Sequence, residues 1–179
     1  MTEALGVTPS QTAGPYLSIG LLRQLVPTAL VDPGDPRAIR IRGRLLDGAG
    51  DGVPDCMIEI WQASPAGGYG GDDFPGFGRS GTDDDGRFEF VTVKPGPVAW
   101  PGGGLQAPHL AVGVFARGLL KRVVTRLYFP DEIERNDADH VLSGLPPGSR
   151  ESLIAIAEDG ALRFDIRLQG SQETTFFAV

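Results

Sequence analysis

The sequence predicts an all-β fold, a β-sandwich with an extended N-terminal arm and little helix. Several short runs alternate apolar and polar side chains, which is the period of a strand with one buried face. The 26 glycines and 15 prolines are scattered between those runs as punctuation rather than gathered into repeats. Many strands joined by frequent turns read this way, and disorder does not.

Residues 1–38 show no strong periodicity. Gly14-Pro15 in QTAGPY (11–16) bars a helix interior, because proline removes a donor and restrains the residue before it. LSIGLLRQLVP (17–27) has room for one short helical turn. The arm is therefore expected to lie extended on a surface, and the domain to begin at residue 39. IRIRGRLL (39–46) places Ile39, Ile41 and Leu45 on one face and Arg40, Arg42 and Arg44 on the other. CMIEIWQ (56–62) sets Cys56, Ile58 and Ile60 opposite Met57, Glu59 and Trp61. SPAGGYGGDDFPGFG (64–78) reads as a long glycine-rich loop, and DDDG (83–86) as a hairpin turn before strand RFEFVTV (87–93). KPGPVAWPGGG (94–104) reads as a loop. PHLAVGVFA (108–116) and KRVVTRLYF (121–129) form a hairpin, and PDEIERNDADHVLSGL (130–145) is polar and partly helical. SLIAIAE (152–158) and ALRFDIRLQG (161–170) form the last hairpin around Asp159-Gly160.

Composition narrows the function classes. The net charge is −7, with no block of Lys and Arg, so a nucleic-acid partner is not expected. No apolar run approaches the ~18 residues of a membrane span. The N-terminal stretch lacks the basic and apolar regions of a secretory signal. The single cysteine, Cys56, rules out an internal disulfide, and a reducing cytoplasm is the expected location.

Among chemistry-bearing residues, His109 stands out. Alternation puts His109, Ala111, Gly113 and Phe115 on one face of a strand. A His-x-His pair there aims two imidazoles the same way, but the second position is a methyl group. A buried, hydrogen-bonded core histidine is the preferred reading of these residues alone. TDDDG (82–86) lacks the alternating ligands and distal glutamate of a calcium loop, so a turn explains it. GGYGGDD (67–73) lacks the lysine and helix of a phosphate loop. No G-x-S-x-G marks a serine nucleophile.

Several stretches together resemble the intradiol ring-cleaving dioxygenase family. They are VPDCMIEIWQASPAGGY (53–69), GFGRSGTDDDGRFEFVTVKPGP (76–97), PHLAVGVFARG (108–118), TRLYFPDE (125–132) and RFDIRLQG (163–170). TPSQTAGPY (8–16) and QETTFF (172–177) narrow the likeness to members that act on protocatechuate as heteromers of two paralogous chains. The resemblance implies an intradiol dioxygenase-like sandwich over 39–179, with 1–38 as arm and assembly segment. It also implies a non-haem Fe(III) held by two tyrosines and two histidines. Tyr69 matches the first tyrosine and His109 the first histidine. The other two positions hold Val98 and Ala111, and Gln106 stands where an arginine is expected before the histidine pair. A catecholate-binding ferric centre needs hard oxygen donors and imidazoles, so this chain is expected to bind no metal. The resemblance then makes it the structural member of the pair, with Fe(III) in a paralogous iron-binding beta chain and with protocatechuate and O2 as substrates. Tyr69 and His109 are remnants, no catalytic residue lies in this chain, and Thr12, Gly14, Pro15, Tyr16 and Arg117 line the shared substrate cleft. The rival reading is a stand-alone transthyretin-like binding or transport module, with Trp61, Trp100 and the glycine-rich loop lining its ligand site. A third is an independent metalloenzyme with other ligands.

Overall fold

The computed structural model describes residues 11–22, 27–71 and 74–178. In chain order the elements are α1 (Tyr16–Leu21), β1 (Ala38–Leu46), β2 (Met57–Gln62), β3 (Phe77–Gly81), β4 (Arg87–Val93), β5 (Val98–Ala99), β6 (Leu105–Gln106), β7 (His109–Phe115), β8 (Val123–Tyr128), α2 (Ile133–Ala138), α3 (His140–Ser143), α4 (Pro147–Glu151), β9 (Ile156–Glu158), β10 (Ala161–Arg163) and β11 (Ile166–Arg167). One sheet runs β4–β1–β10–β9, with β11 continuing beside β1 beyond the end of β10. The other runs β3–β2–β7–β8 and is antiparallel throughout. The two-stranded ribbon β5–β6 stands apart.

The alternation read from the sequence builds the core between the two sheets. Ile41, Leu45, Phe88 and Phe90 of β1 and β4 face Ile58, Ile60, Leu110, Val112 and Val114 of β2 and β7, all of them buried. Outside the first sheet, Arg42 lies directly opposite Glu89 and bonds it at 3.0 Å, and Arg40 pairs with the same carboxylate. These exposed pairs add little stability and serve mainly to keep the outer face polar.

Several expectations change in the folded chain. DDDG is a turn: Asp83 accepts the N–H groups of Asp85 at 3.0 Å and Arg87 at 2.7 Å. The strands it joins, however, lie in different sheets, β3 with β2 and β4 with β1. It is a corner between layers rather than a hairpin. The loop assigned to 64–78 gives way at Phe77 to β3, and the loop at 94–104 contains β5. Met57, placed on the polar face by alternation, is 1% exposed. Leu22, just past α1, lies over its β3 partner Gly81 and covers that side of the sheet. In the last hairpin only Ile156–Glu158 and Ala161–Arg163 pair across Asp159-Gly160, both of which have positive φ. Residues 152–155 precede the strand instead of forming it.

The arm does more than lie on a surface. Arg79 N of β3 donates to Pro27 O at 3.2 Å, while Leu30 N donates to Val91 O of β4 at 2.8 Å and Val91 N donates to Thr28 O at 3.1 Å. The arm thus closes the seam where the edge strands of the two sheets meet, which blunts both edges. The C-terminal segment does the same for β8, with Phe177 N donating to Val124 O at 2.8 Å.

Gly43 sits where the partner strand of β1 is broken between β10 and β11. A Cβ there would lie 1.9 Å from Phe164 O and 2.6 Å from the Phe88 ring. Overpacking of this kind costs about 1–3 kcal/mol. Gly43→Ala is expected to lower Tm by roughly 3–10 °C in a thermal melt, and an unchanged Tm would refute this account of the crossing.

Candidate functional site

The outer face of the second sheet holds the residues that carry chemistry. On β7, Leu110, Val112 and Val114 point into the core, which leaves His109, Ala111, Gly113 and Phe115 on the other face, as their spacing predicts. Register then fixes their neighbours. Ala111 is flanked by Trp61 on β2 and Arg126 on β8, and His109 lies opposite Tyr128.

His109 is 4% exposed although it belongs to the outer face. It is buried beside a small second cluster of Ala107, Tyr128, Leu142 and Leu153, not in the inter-sheet core. This corrects the core placement while keeping the buried, bonded histidine. Its Nδ1 lies 2.8 Å from Ala107 O. A carbonyl only accepts, so Nδ1 carries the proton and Nε2 the lone pair. Burial, reinforced by the Arg126 charge, pushes the ring pKa down to about 4. His109 is therefore neutral at pH 7.

A chain of hydrogen bonds runs from this histidine's neighbours into the helical region. Arg126 Nη1 donates to Gln106 Oε1 at 3.0 Å and to Tyr128 Oη at 3.1 Å. Tyr128 Oη donates to Asp139 Oδ1 at 3.2 Å. Asp139, 0% exposed, also accepts Val141 N, Leu142 N and, through its second oxygen, Ala107 N, at 2.8–3.1 Å. It is the N-cap of α3 and ties that helix to the entry of β7. Burial holds the Tyr128 phenol well above its ordinary range. Arg126, Tyr128 and Asp139 were missed in the sequence, where TRLYF read only as strand. The signal available was register, since Arg126 falls on the same period-2 face as Ala111 in the facing strand.

The four positions at which the resemblance seeks metal ligands lie around Arg126. Ala111 is its direct cross-strand partner, and His109 faces Tyr128, whose hydroxyl accepts from Arg126. Val98 pairs with Gln106, whose side-chain oxygen also accepts from Arg126. Tyr69 stacks on Trp61, with ring centroids 6.0 Å apart and planes 4° from parallel. Burial pushes the Tyr69 phenol up, and the Arg126 charge pulls against it. This donor set does not fit ferric iron. Two of the four positions carry only hydrocarbon, and a guanidinium stands among them.

The cleft residues named from the sequence gather elsewhere. Thr12 Oγ1 accepts Gly118 N at 2.8 Å, which brings the arm against the β7–β8 hairpin beside Arg117. Pro15 caps α1, and Gly14, Tyr16 and Arg117 are exposed, Tyr16 at 83%. A groove of about 290 Å³ separates arm and hairpin, lined by Thr12, Leu17, Phe115 and Leu119 among others. Residues 1–10 of the arm lie outside the described residues. Trp61 lines a separate groove with Phe77 and Ala111, whereas Trp100 stacks on His140 at 5.8 Å. The two tryptophans of the transport reading thus serve different places.

Residues 20–170 match the family model described as Dioxygenase. The chain is 42% identical to the protocatechuate 3,4-dioxygenase alpha chain of Pseudomonas putida, covering 98% of both sequences. It is 40% identical to the alpha chain from Burkholderia cepacia, over 96% of this chain and 97% of that one. The beta chain of the Burkholderia enzyme is 32% identical over 80% of this chain and 70% of its own length. Among solved structures, the dioxygenase domain of a carbohydrate-binding fusion protein from Streptomyces sp. SirexAA-E superposes with a TM-score of 0.63 at 27% identity, covering 92% of this chain and 99% of that one. Chlorocatechol 1,2-dioxygenase from Pseudomonas putida shares the fold, with a TM-score of 0.61 at 21% identity over 79% of this chain and 65% of that one.

The depressed His109 pKa has a sign that can be measured. The folded pKa of about 4 lies below the ordinary value of 6.5, so between those values the unfolded chain binds the extra proton. His109 therefore contributes its full stability above pH 6.5 and loses it as pH falls towards 4, by about 3 kcal/mol in all. Urea denaturation at pH 7 and pH 4.5 is expected to show a larger stability loss for the wild-type chain than for His109→Gln, which does not titrate. Equal losses in the two proteins would contradict the assignment.

Proposed function

The chain belongs to the intradiol ring-cleaving dioxygenase family, and on that footing we propose that it is the alpha-type chain of a protocatechuate 3,4-dioxygenase. The observation that carries the reading is a contrast within the fold. The family's chemistry is iron-dependent, yet two of the positions that would hold iron carry Val98 and Ala111 and the Arg126 guanidinium stands beside them, while the arm–hairpin surface at Thr12 and Arg117 is built and open. Identity to alpha chains over nearly the whole sequence supports it, as does weaker identity to a beta chain.

In this reading the Fe(III) belongs to a paralogous beta chain in an (αβ)n assembly. The assembly opens protocatechuate between its two hydroxyl-bearing carbons, both atoms of O2 entering the product, 3-carboxy-cis,cis-muconate. The reaction serves aromatic-compound catabolism. This chain supplies cleft wall and positive charge, and alone it is inactive. Gly14-Pro15 gives a stiff backbone edge with little side chain to obstruct a small aromatic acid. Arg117 offers a planar fork to the substrate carboxylate. Thr12 and Tyr16 complete that wall, residues 1–38 serve as arm and assembly segment, and 39–179 form the sandwich domain. The assembly is placed in the cytoplasm. The lack of any cysteine pair to form an internal disulfide is what supports this reading, Cys56 being the one cysteine in the sequence. No helix among the described residues is long and apolar enough to cross a membrane.

Expression with and without the paralogous chain tests the reading directly. Alone, the chain is expected to hold no stoichiometric iron, to lack the red-brown tyrosinate–iron absorbance and to self-associate through its unpartnered surface. With its partner it should purify at equal stoichiometry with ring-cleaving activity. A stable, iron-free monomer that ignores the paralogue would overturn the proposal.

Arg117 gives a sharper test in the assembled enzyme. A charge-assisted bond contributes roughly 1.5–3 kcal/mol, so Arg117→Ala should lower kcat/KM for protocatechuate by about one to two orders of magnitude. Arg117→Lys should recover only part of this, because a point charge cannot reproduce the fork. Catechol, which lacks the carboxylate, should be much less affected. Equal losses for both substrates at constant iron content would assign Arg117 to assembly instead.

A further inference from the structure

We propose that Arg126 is a resident cation that occupies the former ligand pocket and closes it to metal ions, so that the loss of two donors is only half of what keeps this chain metal-free. The inference uses the ligand positions named by the family resemblance and does not depend on the alpha-chain reading.

Placement is the argument. Arg126 pairs across the ladder with Ala111, and on the other side of Ala111 stands Trp61, which carries Tyr69 on its ring. Its guanidinium turns along β8 towards Tyr128, the residue opposite His109, and bonds Tyr128 Oη at 3.1 Å. A second bond at 3.0 Å reaches Gln106, the partner of Val98. One side chain thus makes direct or one-residue contact with three of the four ligand positions. The charge is held in place by these bonds, and Tyr128 passes the tether on to the buried carboxylate of Asp139.

The small residue at 111 belongs to the same arrangement. A larger side chain directly opposite Arg126 would compete for the space and for the polar partners that position the guanidinium. The chemistry excludes a metal for a second reason. Two like unit charges about 5 Å apart, at an effective dielectric constant of about 20, repel each other by about a hundredfold or more in an equilibrium constant, and a cation entering among these residues would meet the Arg126 guanidinium. Arginine cannot escape this by losing its proton. Restoring the missing donors alone should therefore not restore the site.

The test restores the donors with and without the charge. The full-length chain carrying V98Y and A111H is compared with the same chain also carrying Arg126→Met, which keeps the length and removes the charge, or Arg126→Lys, which keeps the charge. Each is purified in whatever assembly it forms and exposed to iron under air. After dialysis the metal is counted per chain relative to the unaltered protein, so that iron held by any partner chain cancels. The Met variant is expected to retain at least tenfold more iron than the donor-only and Lys variants, and to gain tyrosinate–iron absorbance in the visible. Near-ultraviolet circular dichroism reports whether each variant is folded. If Tyr at position 98 prevents folding, A111H alone is compared with A111H plus Arg126→Met, with Ni²⁺ as the probe and the same tenfold expectation. Equal metal retention with and without the Arg126 charge, whether high or low, would overturn the proposal, as would a Lys variant that binds as well as the Met variant.

Discussion

The register of β7 between β2 and β8 is the constraint on which the outer face depends. Side chains alternate, so a slip of one residue would send His109 and Ala111 into the core and expose Leu110 and Val112. Burial of Leu110, Val112 and Val114 against Ile41, Leu45 and Phe90 forbids that slip. Core packing therefore places the histidine beside Tyr128 and the methyl group between Trp61 and Arg126. The chemistry of the face is a consequence of hydrophobic order on the opposite face.

Polar burial behind this face is organised by Asp139. A buried carboxylate is tolerable only when its oxygens are bonded, and here four donors reach it from α3, Ala107 and Tyr128. The same bonds fix the start of β7, since Ala107 gives its N–H to Asp139 and its carbonyl to His109. Helix α3 has only four residues and would not persist by itself. Its cap and its packing through Leu142 make it part of the site's foundation.

Much of the fold was legible because strands with one buried face announce themselves by alternation. β1, β4, β7 and the turn at Asp159-Gly160 fall where the sequence puts them, although the strands beside that turn are shorter than read. β3 was obscured because its glycines and the neighbouring loop carry no apolar period, and its strand character comes from pairing with β2. Met57 misled because coverage by the arm is a tertiary fact. The corner at DDDG was legible as a turn but not as a change of sheet, which depends on where both flanking strands find partners. In the site, His109 and its empty companion at Ala111 could be read directly. Arg126 and Asp139 could not. Their roles arise from cross-strand register and from a helix cap 30 residues beyond the histidine strand's entry.

The state of His109 shows how a buried imidazole on the outer face can be satisfied entirely within the chain. Its Nδ1 bond to Ala107 O is made within the chain and needs no metal. Its depressed pKa keeps the ring neutral at pH 7, so burial incurs no charge penalty. The ligand positions named by the resemblance lie on β7, at His109 and Ala111, on β5, at Val98, and in the loop that carries Tyr69. Arg126 ties β8 to the same surroundings, bonding Gln106 of the β5–β6 ribbon and, through Tyr128 and Asp139, reaching α3. The outer face is thus held by hydrogen bonds within the chain and by the packing of Leu110, Val112 and Val114 behind it, and neither depends on a bound ion.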